Sequence, residues 1–423
     1  MKKNIIFFLL VLLTISYSSA QHSGNREIIR IMKNPKNNKA IIKMNLDVLL
    51  QKDDQIFIAA GAKDLNKLDD AGIIYSFTTI NLTSSTEGDS STSGGINGAY
   101  HSYLELENDL FLLESSYPHL AKVETIGYSH ENRCIYALKI SDYVNQEENE
   151  AQIIFLGGHH AREWISVEVP YLIGKHLLEN YSSDPKIKNL VDKSEIWIVP
   201  LVNPDGLVYS IYYYRYWRKN RRNNEDGSYG VDLNRNYGYK WGYDDIGSSP
   251  DPYSNLYRGP SSFSEPETQA VREFMLGKNF RALVSYHSYA QFILYPWGYT
   301  DALSPLYDIG KNLAEQMSKL IEKVNGTIYE FGTMNSYCVT NGDITDWSLG
   351  VFGIPSFTIE LPPKNILSGG FFNSEQDIIL IFQENLPAAL YLIEWAVDQH
   401  SCTSPHLLPE GHHKKKPKEA IRK

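Results

Sequence analysis

The chain has 423 residues, 42% of them hydrophobic, which suffices for a large domain and a smaller one. A formal net charge of −10 argues against nucleic acid as a partner. The cysteines Cys134, Cys338 and Cys402 match no zinc-finger spacing, and their odd number leaves at least one thiol unpaired or paired between chains.

The chain opens with Lys2 and Lys3, an apolar run over 5–15, and Ser18-Ser19-Ala20. This pattern reads as a secretory signal over 1–20 cleaved after Ala20, with a retained N-terminal anchor as the alternative. No later segment approaches about 18 unbroken apolar residues, so no membrane span is expected. Sequons at Asn81, Asn180 and Asn325 suit a secretory or endolysosomal route.

Residues 21–80 read as a small α+β unit: strands over 28–32, 40–44, 56–59 and 73–80, with a helix over 63–71 ending at Gly72. Residues 81–95 are rich in Ser, Thr and Gly and hold no aromatic residue, as in an exposed flexible linker. A larger unit follows over 96–398. It begins with a helical pattern over 100–117 broken at Pro118, then a hairpin around 127–133.

Apolar runs over 153–156, 196–202, 282–286 and 356–361 lack strict alternation, as expected of strands covered on both faces. Helical patterns over 163–179, 265–275, 305–324 and 376–397 lie between and after them. This predicts an α/β fold: a mixed, mostly parallel central sheet flanked by helices on both faces. Ligands in such folds bind beyond the carboxyl ends of the strands. Residues 399–423 form a tail; 411–423 hold six Lys or Arg against one acidic residue, which reads as a solvated disordered end.

The stretch around which the rest is organised is Gly157-Gly158-His159-His160-Ala161-Arg162-Glu163-Trp164, at a strand-to-helix junction. Imidazole and carboxylate three residues apart can converge on one ion. Zinc accepts that N/O set and keeps a position open for water when catalytic.

These residues resemble the carboxypeptidase A/B family of zinc metallocarboxypeptidases, whose motif reads His-x-Arg-Glu-Trp or close to it. The resemblance implies one Zn²⁺ per chain held by His160, Glu163 and His287, the last in His287-Ser288-Tyr289. The register before Ala-Arg-Glu selects His160 as the ligand and leaves His159 as a packed or hydrogen-bonded neighbour. Asp232 matches the carboxylate that orients the first ligand.

Glu360, in Phe357-Thr358-Ile359-Glu360-Leu361, matches the family's general base, and Arg218 the donor that stabilises the scissile carbonyl oxygen. Asn234 and Arg235 match the pair that reads the substrate's terminal carboxylate. Tyr337 matches the tyrosine that closes over the terminal residue, and Arg162 and Tyr289 line the next subsites. Thr345, before Asp346-Trp347, falls at the floor of the side-chain pocket, and Gly298 at its wall.

A neutral Thr345 favours C-terminal Phe, Leu or Tyr. Asp343 leaves Lys and Arg open as further substrates, as in the broad-specificity bacterial members that the 337–347 stretch resembles. Cys338 beside Tyr337 has no evident use, and the cysteine pair of the digestive enzymes is absent.

The expectation is a secreted zinc metallocarboxypeptidase, monomeric, made as a precursor whose 21–80 unit is its inhibitor and whose substrates are peptide and protein C-termini. A zinc amide hydrolase acting on non-peptide substrates and an inactive binding module are the alternatives. Between Lys67 and Lys122 there is no Lys or Arg, so the linker offers a trypsin-like protease nothing to cut. Native trypsin digestion followed by N-terminal sequencing should yield no active product that starts between residues 81 and 100.

Overall fold

The computed structural model describes residues 27–44, 46–52, 54–77, 97–146, 148–365 and 368–401. The expected signal over 1–20, the linker over 81–95, Asn81 and nearly all of the tail lie outside the described residues.

The N-terminal unit runs β1 (Glu27–Met32), α1 (Pro35–Lys43), β2 (Asp47–Lys52), β3 (Gln55–Ala60), α2 (Ala62–Asp70) and β4 (Tyr75–Phe77). Its strands form an antiparallel sheet in the order β2-β3-β1-β4. Ile29, Ile31, Ile56 and Ile58 bury one face with Ile41 and Leu68 from the helices. The strand expected over 40–44 is therefore wrong, since Ala40–Lys43 is the last turn of α1. Asn34 Oδ1 accepts from Asn37 N at 2.8 Å and Pro35 is the first helical residue, a start signal that outweighs a short apolar run. The missed strand is β2.

The larger unit holds α3 (Tyr103–Ser116), β5 (Ala121–Tyr128), β6 (Cys134–Ile140), β7 (Ala151–Leu156), α4 (Ile165–Asn180), α5 (Pro185–Val191), β8 (Ser194–Val199) and α6 (Pro204–Tyr212). After a 3-10 turn, Leu233–Arg235, come α7 (Pro266–Leu276), β9 (Phe280–Ser288), β10 (Phe292–Tyr295), α8 (Tyr307–Asn325) and β11 (Glu330–Thr333). α9 (Met334–Tyr337), α10 (Ile344–Phe352), β12 (Ser356–Leu361) and α11 (Asp377–Ser401) complete it.

Eight strands form one sheet in the order β11-β10-β12-β9-β7-β8-β6-β5. The central four are parallel, while β6, β5 and β10 pair antiparallel with their inner neighbours. Its two faces explain why the strands show no alternation of polarity. Ile153, Phe155, Ile196 and Ile198 enter one core with residues of α4, α8 and α11. Ile154, Leu156, Trp197 and Val199 enter the other with residues of α7 and α10. Successive side chains point to opposite faces, and here both faces are covered.

α11 is long and apolar enough to cross a membrane by length and composition, but Ile378, Ile381, Ala388, Ala389, Leu392, Ile393 and Ala396 are buried in the first core. Burial of one stripe marks a core helix of the globular unit.

The larger unit is fastened at its start. His101 Nδ1 lies 2.6 Å from Glu168 Oε2 on α4, and its backbone N–H donates to Glu168 Oε1 at 2.8 Å. Burial disfavours the imidazolium, yet Glu168 and Asp109 outweigh it and raise His101 to about 9.

The sheet meets the turn that bears His160 and Glu163 at Gly157 and Gly158. Pro170 lies in the second turn of α4, further inside than a helix start, and has no N–H to give the Ser166 carbonyl. That carbonyl faces Gly157 instead: a Cβ on Gly157 would stand 2.0 Å from Ser166 O, and Gly158 has φ +62. Gly157→Ala should therefore destabilise by more than about 2 kcal/mol, because backbone on both sides must move. Thermal unfolding checks this; a midpoint within about one degree of wild type contradicts it.

Candidate metal centre

β7 ends at Leu156, and the turn after it carries His160 and Glu163 within three residues. The turn is anchored twice to the segment bearing Arg218: Ala161 N donates to Arg218 O at 3.0 Å, and Asn203 Nδ2 donates to His159 O and Lys219 O, both at 3.1 Å. β9 supplies His287 near its carboxyl end. β12 lies beside β9 in parallel register and places Glu360 directly opposite His287.

His160 Nδ1 lies 2.9 Å from Glu163 Oε1, His287 Nδ1 lies 3.0 Å from Glu163 Oε2, and the two Nδ1 atoms are 3.0 Å apart. All three residues are buried. Two ligands each about 2.1 Å from one tetrahedral ion are separated by roughly 3.4 Å, which small side-chain shifts reach from here, so this donor set fits zinc. Burial and the neighbouring His160 hold the His287 pKa below its ordinary value despite Glu163. Burial would raise Glu163, but the two imidazoles outweigh it and hold the carboxylate well below its usual range. Neutral imidazole and ionised carboxylate are the forms that bind a metal.

Two other groupings of possible donors occur among the described residues. At His130, Glu265 and Glu267 the oxygens are already engaged, by Asn220 Nδ2 at 2.8 and 3.0 Å and by Arg222 at 3.0 Å. Asp142, Glu148 and Glu150 offer oxygen only, a set ill suited to zinc.

Asp232 stands behind the first ligand, its Oδ1 3.1 Å from His160 Nε2. Its Oδ2 accepts from Arg218 Nε at 3.1 Å and Nη2 at 2.9 Å. Burial opposes the charge on Asp232, but Arg218 and His160 hold its pKa well below the carboxylate norm. The same guanidinium reaches the cluster with Nη1, 3.2 Å from His160 Nδ1 and 3.5 Å from Glu163 Oε1. One arginine thus neutralises Asp232 and presents a donor at the His160–Glu163 pair.

The cluster opens on a cavity of ≈ 1040 Å³. Arg162, Arg218, Asn234, Arg235, Tyr289, Tyr337 and Glu360 line it with the three donors, so the fold gathers in one cleft residues spread from 160 to 360. Glu360 is the one member of β12 that is not fully buried. Burial raises its pKa, the Glu163 charge adds to this, Arg218 and Arg235 oppose it, and it settles at about 8. A cation among the donors would draw it down.

Asn234 and Arg235 sit on the 3-10 turn. Asn234 Oδ1 accepts from Ile344 N at 3.0 Å, and Arg235 donates through Nε to Gly247 O at 2.8 Å and through Nη1 to Asn234 O at 2.7 Å. Tyr337, at the end of α9, is 46% exposed, with its ring 5.2 Å from that of Phe292. Tyr289 packs edge-on to Phe371 at 4.8 Å, and Arg162 lies over the same ring at 4.1 Å.

Thr345 is fully buried, and its hydroxyl donates to Asp343 Oδ1 at 2.6 Å. Asp343 caps α10, and Oδ1 also accepts from Thr345 N and Asp346 N, both at 3.0 Å. Helix formation draws Thr345 into the capping network, and Tyr337, Cys338 and Thr340 line the cleft.

Three neighbours of the site escaped sequence reasoning. Phe371 lies on the loop after β12, which carries no periodic signal. Arg215 donates to Arg162 O at 2.6 Å and Phe371 O at 2.9 Å, with its guanidinium 3.6 Å from the Trp164 ring. Ser285, 3.1 Å from His287 Nε2, was legible in principle, since residues two apart on a strand share a face.

The N-terminal unit lies against the same cleft. Met44, Leu46, Leu65 and Lys67 line the cavity from its side, and Lys63 Nζ pairs with Asp251 Oδ1 at 2.9 Å, 4.9 Å from the Tyr253 ring centre.

A family model described as zinc carboxypeptidase matches residues 106–388. Carboxypeptidase B of Astacus astacus is 34% identical over 72% of this chain and 99% of its own length. The zinc carboxypeptidase of Saccharothrix mutabilis subsp. capreolus is 30% identical over 83% of this chain and 84% of its own. Among solved structures, bovine thrombin-activatable fibrinolysis inhibitor in complex with tick carboxypeptidase inhibitor superposes with a TM-score of 0.65 at 30% identity, over 71% of this chain and 98% of that one. Carboxypeptidase A from Helicoverpa armigera has a TM-score of 0.71 at 23% identity over 90% of this chain and 99% of that one, a likeness of fold too extensive for the larger unit alone.

Proposed function

This chain belongs to the zinc carboxypeptidase family, hydrolases that use zinc to release C-terminal residues from peptides, and on that premise we propose how its own residues divide the work. The observation that carries the reading is Glu360 opposite His287 on adjacent parallel strands, in the cleft that also holds Arg162, Asn234, Arg235, Tyr289 and Tyr337.

His160, Glu163 and His287 would hold the zinc, which when bound supplies Lewis acidity and lowers the pKa of a water. Glu360 takes the proton of the attacking water and passes it to the leaving amine. Arg218, held in plane by Asp232, donates to the scissile carbonyl oxygen as charge develops on it. Asn234 and Arg235 receive the terminal carboxylate, for which a guanidinium fork is the better partner. Tyr337 closes over the terminal residue, and Arg162 and Tyr289 bind the residue before it.

The side-chain preference follows from Asp343. Beyond the three donors on Oδ1, its Oδ2 accepts from the Thr340 hydroxyl at 2.8 Å. A carboxylate already given to a helix cap and two hydroxyls offers little to an incoming cation, and desolvating Lys or Arg without a full partner costs several kcal/mol. C-terminal Phe, Leu and Tyr are therefore the preferred substrates. Dual specificity is the second reading, because Asp343 Oδ2 would stand 3.3 Å from a Cβ on the pocket-wall glycine Gly298.

The N-terminal unit acts as an inhibitory pro-domain. Its α2 side closes the cavity over the donors, and Lys63 with Asp251 adds a partly exposed ion pair worth no more than about 1 kcal/mol. The chain is secreted as a monomeric precursor, and cleavage in the linker before the His101 anchor releases the enzyme.

Glu360→Gln should retain about one zinc per chain yet lose 10²-fold or more of kcat, roughly the span of a general-base effect. Zinc retained with more than about a tenth of kcat rules out the assigned base. Wild-type protein that binds zinc but cleaves only non-peptide amides, or nothing at all, would favour the amide hydrolase or the binding module. Matched blocked peptides ending in Phe, Leu, Lys and Arg test the pocket: kcat/KM for Phe or Leu should exceed that for Lys or Arg about tenfold, a ~1.4 kcal/mol preference. The reverse order removes the hydrophobic assignment.

A further inference from the structure

Three histidines crowd the centre, and His159 has so far no task. It is fully buried, as are Ser285 and Tyr237, and His287 is only 2% exposed. His159 Nε2 lies 2.9 Å from Tyr237 OH, and His159 Nδ1 lies 3.3 Å from Ser285 Oγ. Ser285 Oγ in turn lies 3.1 Å from His287 Nε2, closer than Asn234 Nδ2 at 3.4 Å. The rings of His159 and His287 are nearly parallel, at 22°, with centroids 5.6 Å apart.

We infer that Tyr237, His159 and Ser285 form a buried hydrogen-bond chain that fixes the tautomer and plane of His287, and that they are positioning residues for this metal ligand. The inference rests on the reading of His160, Glu163 and His287 as the zinc ligands. His287 turns Nδ1 toward the other two donors, so that nitrogen must present a lone pair, and the ring proton belongs on Nε2. Ser285 Oγ accepts this proton's hydrogen bond and donates its own hydrogen to His159 Nδ1. His159 is then the Nε2–H tautomer and donates to Tyr237 OH. Each link carries one hydrogen, and every group in it is neutral.

The two imidazole ligands are thus steadied by different chemistry. His160 leans on an anion, Asp232, which Arg218 neutralises from its other side. His287 leans on a neutral hydroxyl–imidazole–phenol chain that adds no charge to a site already holding Glu163 and, nearby, Glu360. The adjacent pair His159-His160 is accordingly split, one side chain toward the ion and one into the support behind the second ligand. Both nitrogens of His159 are engaged within that chain, which removes it as a competing ligand.

The full-length protein tests this through zinc affinity, without need of activity. Apparent dissociation constants come from competition with a chromophoric chelator near pH 7.5. Ser285→Ala should weaken zinc 10- to 100-fold, the usual effect of losing such a partner. His159→Phe should do the same, and the double variant should be no worse than the poorer single one, because the chain acts through Ser285. Ser285→Thr, which keeps the hydroxyl, should recover most of the affinity, and the visible spectrum of the cobalt-loaded protein should shift in Ser285→Ala.

Tyr237→Phe, nearly isosteric, should cost about threefold and stands in where His159→Phe does not fold. A merely structural role would lower the melting temperature of the zinc-free protein and leave the dissociation constant within twofold of wild type. That result for both Ser285→Ala and Tyr237→Phe overturns the inference. Failure of the ligand assignment looks different: His287→Ala would then bind zinc as tightly as wild type, and the relay would fall with it.

Discussion

Everything in this protein is arranged around two imidazole nitrogens and a carboxylate turned toward one another at about 3 Å inside a buried pocket. Lone pairs facing lone pairs are unfavourable in a low-dielectric interior unless a cation lies between them. The arrangement holds only because backbone and neighbours leave the side chains nowhere else to go. Gly157 and Gly158 admit the close turn, Asn203 ties that turn to the Arg218 segment, and Asp232 and Ser285 take the outward nitrogen of each ring.

Charge is managed with the same economy. Asp232, Glu163 and Glu360 bring three carboxylates to one region, which Arg218 and Arg235 serve from two directions. Arg218 pairs with Asp232 through two nitrogens and turns the third toward His160, so one side chain bridges the buried carboxylate and the donor cluster. Arg215 does comparable work with no anion: it holds two loop carbonyls while its guanidinium lies against Trp164 and Phe372. The walls of the cleft are therefore stapled to the ligand turn and not left to loop entropy.

The parallel centre of the sheet turns these local constraints into a site. β7, β9 and β12 end on the same side, so the turn bearing His160 and Glu163, His287 within a strand and Glu360 on the neighbouring strand meet although some 200 residues separate the first from the last. That opening is also where the N-terminal unit rests, with α2 and the chain before β2 facing the cavity.

By itself the sequence determined the fold class, the main helices and strands of the larger unit, and the family, because core periodicity and the spacing of ligand motifs are properties of neighbours along the chain. It also singled out the residues now found along the cleft, from His160 to Glu360, through a resemblance carried by short motifs. It misread 40–44, where a short apolar run is ambiguous and Asn34-Pro35 held the deciding signal. It assigned Thr345 to the side-chain pocket, and only the folded cap of α10 shows that its hydroxyl bonds to Asp343. Only the tertiary structure decided which nitrogen of each histidine faces the donor cluster, that His159 turns back to Ser285 and Tyr237, and that Phe371 lines the cleft with Arg215 bonded to its carbonyl. Those outcomes depend on distances between segments remote in sequence, which no local pattern encodes.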